Sequence, residues 1–152
     1  MTRIFLVRHG ETKWNDKEVF RGQIDIELNE TGIQQAELLA EYLSNIKIDA
    51  IYSSALKRAL TTAEKIASFH NIKVVTTPGL MDLNFGEWQG LPRQEVKNRY
   101  EELYNKWISH PEQVKIPGGE SLSEIRTRAT GLVKQVIAQY KGNVILVSHR
   151  VV

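Results

Sequence analysis

The chain has 152 residues, 41% hydrophobic and 25% charged, with a formal net charge of +2 and no cysteine. That length suits one compact domain, and the lack of thiols excludes disulfides, cysteine-ligated metals and a cysteine nucleophile. The basic residues are dispersed and the N-terminal apolar run, Ile4 to Val7, is short, so neither nucleic acid nor membrane is an expected partner and the cytoplasm is the expected location.

Taken in chain order, RIFLVRH (3–9) reads as a strand apolar on both faces, suited to the middle of an α/β sheet. Asn29 is a plausible N-cap for a helix from Glu30 to about Ser44, with Ile33, Ala36, Leu39, Ala40 and Leu43 at helical spacing. DAIYSS (49–54) is the next strand. It is followed by a helix that carries Leu56, Ala59, Leu60, Ala63, Ile66 and Ala67 on one side. KVVTT (73–77) gives a third strand, and Met81 to Gly90 reads as a loop. Pro92 suits the first turn of a helix reaching about Ile108. Ser121 and Glu124 form a capping-box pattern for a helix to about Tyr140, with Gly142 as its stop, and NVILVSH (143–149) is a last strand. Alternating strands and helices predict a largely parallel sheet covered on both faces, a three-layer α/β/α sandwich.

In such sheets ligands bind beyond the carboxyl ends of the strands. Two strands end alike, one on Arg8-His9 and one on His149, and Arg58 starts the helix after YSS. Two arginines and two histidines at one sheet edge form a site for an anion, and arginine forks match phosphoryl oxygens. Nearby arginine charge favours neutral, nucleophilic histidine, and Gly10 is expected to let the backbone approach the ligand.

Six stretches extend this pattern along the chain: RHGETKWN (8–15), FRGQIDIELNETGIQQA (20–36), IYSSALKRALTTAEKIA (51–67), LNFGEWQG (83–90), PGGESLSEIRTR (117–128) and VSH (147–149). In this order they resemble the histidine phosphatase superfamily, the phosphoglycerate mutase-like group, and most of all its bacterial branch of α-ribazole-5′-phosphate phosphatases of cobalamin biosynthesis and their relatives. The resemblance implies that His9 is a transiently phosphorylated nucleophile, and that Arg8, Arg58 and His149 bind the phosphoryl oxygens. It makes Asn15 a further phosphate contact, places Gly22 and Gln23 in a loop closing over the phosphate, and makes Asp82 the general acid. No metal or other cofactor is expected, because arginines supply the charge a divalent cation supplies elsewhere.

Three positions depart from the family pattern. Asp82 is one methylene shorter than the usual glutamate, which predicts a loop shift or slower chemistry, with Glu87 as the second candidate acid. Arg150 stands where glycine is common and would face either the site rim or solvent. The sequence ends three residues after His149, where family members generally continue with a helix and a strand. One domain over 1–152 without those elements is therefore expected, with a face of VILV left bare or covered by another subunit, as in a homodimer.

Blander readings apply to the remaining candidates. His70 and His110 read as surface residues, Trp107 as core, Trp88 as either packing or pocket rim, and Lys57 as solvated. Arg21 is undecided between substrate and water, and Glu120 and Ser121 are left out of the site because capping explains Ser121. The implied activity is hydrolysis of a small phosphomonoester, with α-ribazole-5′-phosphate a candidate. Phosphoglycerate mutase-type transfer is less favoured, because mutases carry extra length after the acid-bearing loop. A weakly active phosphate-binding regulatory module is the alternative from another class.

Overall fold

The computed structural model describes residues 1–15 and 17–152. Its strands are β1 (Arg3–Arg8), β2 (Ala50–Ser53), β3 (Val74–Thr76) and β4 (Asn143–Ser148), and its helices are α1 (Glu30–Leu43), α2 (Lys57–Ser68), α3 (Arg93–Arg99), α4 (Glu101–Ser109) and α5 (Leu122–Gln139). All strand pairings are parallel, in the order β1-β4-β2-β3, with Arg8 opposite Ser148 and Ser53 opposite Val147. The strand formed last in the chain is thus internal, and Val144 to Ser148 are all buried.

Each face of the sheet has its own apolar layer. Ile51, Ile145 and Val147 pack with Ala40 and Leu43 of α1 and with Ala59, Ala63 and Ile66 of α2. Ala50, Tyr52, Val144 and Leu146 pack on the other side against Leu132 and Val136 of α5. The alternation of these contacts along β2 and β4 is the period-two consequence of the pleat. A third cluster, built on Leu83, Phe85, Trp88, Val96, Tyr104 and Ile116, stands beyond the sheet and carries the segment around Asp82. The three-layer α/β/α arrangement is as the alternating pattern predicts.

Several local expectations are corrected. β1 is an edge strand of the described sheet rather than a middle one, and Leu6 is 79% exposed. The bare apolar surface therefore lies on β1, while VILV of β4 is covered. The helix expected over 92–108 breaks into α3 and α4 at Tyr100, which leaves helical geometry at φ −128° and ψ 42°. The break lets Tyr100 lie against Trp88 while its hydroxyl donates to Glu87. α5 starts on the predicted Ser121–Glu124 capping box but ends with Tyr140 extended, so Gly142 is not its stop. Gly142 instead makes room for the Asp49 carboxylate, which accepts the Asn143 N–H at 2.8 Å. Gly10 also meets a packing demand, because a Cβ there would collide with the Gly32 carbonyl in the first turn of α1.

Candidate active site

Three neighbouring strands end at the same edge. Immediately past β1, β4 and β2 come His9, His149 and Ser54, and the ladder continues through them: His9 N–H donates to the Ser148 carbonyl and Ser54 N–H to the Val147 carbonyl, both at 3.1 Å. The two imidazoles therefore follow from parallel register, with ring centroids 5.1 Å apart and planes inclined at 55°. Arg58, the second residue of α2, enters the same edge from behind and is 1% exposed.

His9 is held neutral with one ring nitrogen unprotonated. Its Nδ1 lies 2.7 Å from the Gly10 carbonyl, which can only accept, so Nδ1 carries the proton and the Nε2 lone pair is free. Burial, with help from Arg58, Arg8 and Arg21, lowers its pKa to about 4, so the ring is neutral at pH 7. Burial also lowers His149, to about 2, with Arg58 and His9 adding repulsion. The Nε2 of His149 shares a hydrogen bond with Ser54 Oγ at 2.8 Å, which sets the ring orientation.

Arg58 joins the strand ends to the loops. Its Nη2 donates to the Gly22 carbonyl at 2.7 Å and to Asp82 Oδ2 at 3.1 Å, and its Nη1 donates to the Ile24 carbonyl at 2.9 Å. Asp82 Oδ2 also lies 3.7 Å from His149 Nδ1. Burial raises the Asp82 pKa, with the Arg58 charge working against that rise, so the carboxyl is biased toward holding its proton. Two buried nitrogens of the cluster, Arg58 Nε and His149 Nδ1, have no hydrogen-bond partner among the described residues. Leaving a buried polar group unpaired costs about 1–3 kcal/mol, which an incoming oxyanion could offset.

A cavity of about 340 Å³ opens onto this cluster, lined by Arg8, His9, Arg21, Gly22 and Asp82 together with the aromatic rings of Phe20, Phe85 and Trp107. Of the residues expected in the site, Arg8, His9, Gly22 and Asp82 line this cavity, while Arg58 and His149 meet Asp82 behind it. Arg150 and Val151 also line it, so Arg150 stands at the rim. Asn15 and Gln23 are placed elsewhere. Asn15 Oδ1 accepts from Arg21 Nη1 at 2.7 Å and from Thr12, and the Gln23 amide donates to the Asp82 carbonyl at 3.1 Å. Glu87 points away, bound to the Tyr100 hydroxyl at 3.0 Å.

Sequence reasoning leaves Arg21 open, reads Trp107 as core and does not single out Ser54. Arg21 lines the cavity, and burial beside Arg58 lowers its pKa. Trp107, read as core, packs on the aromatic cluster but also walls the cavity, whereas Trp88 is fully buried. Ser54, which orients His149, was passed over. Its place as the residue just after β2, in the Ser53-Ser54 pair, is its one available signal.

The chain is 38% identical to Phosphoserine phosphatase 1 of Hydrogenobacter thermophilus, over 99% of this chain and 72% of that protein. It is similar to the solved structures of Bacillus stearothermophilus YhfR (TM-score 0.93, 30% identity, 99% of this chain and 75% of that one) and of the alpha-ribazole phosphatase from Shigella flexneri (TM-score 0.89, 27% identity, 97% and 74%). Other relatives carry phosphoglycerate mutase names. Across such relatives the chain spans 64% to 75% of their length. The model of the histidine phosphatase superfamily (branch 1) matches residues 4–152, from the first strand to beyond His149. That match over nearly the whole chain shows that the chain belongs to the histidine phosphatase superfamily.

Proposed function

We propose that residues 1–152 act as one phosphatase domain that hydrolyses a small phosphomonoester through a phosphohistidine intermediate. In this reading His9 Nε2 attacks phosphorus, the P–N bond forms and the ester P–O bond breaks. Arg8, Arg58 and His149 hold the phosphoryl oxygens and stabilise the charge that develops on them, with Arg21 as an added donor. Asn15, Gly22 and Gln23 support the loop over the phosphate, Gly22 at the cavity wall and the other two through Arg21 and Asp82. Asp82 gives its proton to the leaving oxygen, then takes one from the water that attacks phosphohistidine, returning inorganic phosphate and a protonated acid. No metal is required.

The observation that carries the reading is the pairing of a proton-fixed, neutral His9 with His149 and Arg58 at one sheet edge. The substrate side is walled by Phe20, Phe85 and Trp107 with Arg150 at the rim, which suits a leaving group with an apolar face. The likeness to α-ribazole phosphatase supports α-ribazole-5′-phosphate as a candidate, and the relative at 38% identity supports phosphoserine. A second reading, a phosphate-binding module with weak turnover, draws on one feature. Asp82 lies against Arg58 and so faces the phosphate clamp rather than a leaving group.

The test is turnover of p-nitrophenyl phosphate and a panel of phosphorylated metabolites that includes α-ribazole-5′-phosphate, phosphoserine and 3-phosphoglycerate. Turnover that persists in EDTA, disappears in His9→Ala and traps acid-labile phosphate on His9 supports the phosphatase. Phosphate binding without turnover supports the module, and phosphate transfer to a second hydroxyl of the substrate supports a mutase.

A further inference from the structure

Arg128, on α5, has five N–H donors, and all five meet protein acceptors. Nε and Nη2 form a fork on Glu120, at 2.9 Å to Oε1 and 3.1 Å to Oε2. Nη1 donates to the carbonyls of Pro78 (3.0 Å) and Gly79 (3.2 Å), and Nη2 also donates to the carbonyl of Asp82 (3.2 Å). Glu120 completes the arrangement from the other side. Its Oε2 accepts the Asn84 N–H at 3.0 Å, and its own N–H donates to the Asn84 carbonyl at 2.9 Å. The segment 78–84 is thus held at both flanks of Asp82 and at Asp82 itself.

The anchor is rigid. α5 starts on its capping box and is seated on the sheet through Leu132 and Val136. Arg128 and Glu120 are only about one-fifth exposed, and a guanidinium fork fixes orientation as well as distance. A further bond, Ser148 Oγ to the Leu80 carbonyl at 2.8 Å, ties the same segment to the end of β4 beside His149. Asp82 carries a short side chain, so its carboxyl has one torsion fewer than a glutamate with which to correct a backbone displacement.

We infer that Arg128 and Glu120 are a positioning pair for the acid step, fixing the backbone of residues 78–84 so that the short Asp82 carboxyl can reach the leaving oxygen. The inference rests on the reading of Asp82 as the general acid. Neither residue touches the reacting atoms; both act through Asp82.

The experiment measures kcat/KM for Arg128→Gln, Arg128→Lys and Glu120→Gln on phosphate esters graded by leaving-group basicity, from p-nitrophenyl phosphate to phenyl phosphate to an alkyl phosphate. A misplaced acid hurts basic leaving groups and spares activated ones. Both Arg128 variants should lose about 10- to 100-fold on the alkyl ester and little on p-nitrophenyl phosphate, steepening the dependence on leaving-group basicity. Arg128→Lys should not rescue, because an ammonium cannot hold Glu120 and three carbonyls together. Glu120→Gln should show the same trend at smaller amplitude, and decides the matter if the Arg128 variants do not fold. A loss uniform across the series, or wild-type behaviour in Arg128→Lys, overturns the positioning role and leaves the phosphatase reading standing. A wild-type protein that turns over none of the esters removes both.

Discussion

The site is assembled from two regions built by different means. The strand ends place His9, His149 and Ser54 through backbone register, and each ring is one residue past a parallel ladder. The segment 78–84 places Asp82 through side chains that reach over long sequence distances, Arg128, Glu120 and Gln23 among them. The first region is held by the sheet itself, since the backbone that carries the rings cannot shift without straining the β1–β4 or β2–β4 pairing. The second depends on a few charged and polar groups at partial exposure. In the proposed mechanism the nucleophile and phosphate clamp are thus held by backbone pairing, and the proton donor by side-chain anchors on its loop. Arg58 bridges them, buried between the Gly22 and Ile24 carbonyls and the Asp82 carboxylate.

This contrast can be broken from either side. The largest effect is expected from His9→Ala, which removes the attacking atom and should lower kcat/KM by at least about a thousandfold for every ester, whatever its leaving group. Asp82→Asn should cost about 10²- to 10⁴-fold on alkyl esters and far less on p-nitrophenyl phosphate. Rapid quench should then show phosphohistidine either forming slowly or persisting, and unchanged kinetics would remove Asp82 from its role.

Stability separates the two regions next. Gly10→Ala forces a methyl group onto the Gly32 carbonyl and shifts the turn that carries His9, for about 1–3 kcal/mol of destabilisation in urea melts. A neutral outcome would mean that the strand end is softer than its register suggests.

The pH profile is a subtler probe. His9 and His149 are depressed to about 4 and about 2 from an ordinary 6.5, so between pH 6.5 and about 4 the unfolded chain binds more protons than the folded one. Stability is fully present above pH 6.5 and falls as the pH drops through that window, by at most about 3 kcal/mol per pH unit for the two protons together. Asp82, raised above its ordinary 3.8, acts in the opposite sense at the lower end. Urea midpoints from pH 7.5 to 4.5 test this, and a flat profile would falsify the buried neutral pair. The smallest effect belongs to Ser121→Ala, about 1 kcal/mol from the lost cap of α5, with the thermal midpoint as readout.

The legible parts of the molecule are those written in local sequence. Apolar runs ending in Arg-His and Ser-His mark two strand ends, and the Asn29 and Ser121 caps are present where the pattern places them. Helical spacing along 56–67 puts Arg58 at the head of α2. What stayed hidden depends on partners far along the chain. Arg21 lies against Thr12 and Asn15, Arg128 reaches back about fifty residues to Pro78 and Gly79, and Trp107 turns toward the cavity once Tyr100 breaks the helix. A guanidinium on an exposed helix face and one clamping a catalytic loop look identical in sequence.

Periodicity and capping act over a few residues, so the alternating elements, the strand-end imidazoles and the anion-seeking character of the site are legible in local sequence. The edge position of β1, the packing of Gly10 against α1 and the choice of arginines that face the cavity emerge only once the chain is folded. Those outcomes depend on which distant backbone carbonyls and carboxylates lie within hydrogen-bonding reach, and the fold alone sets that reach.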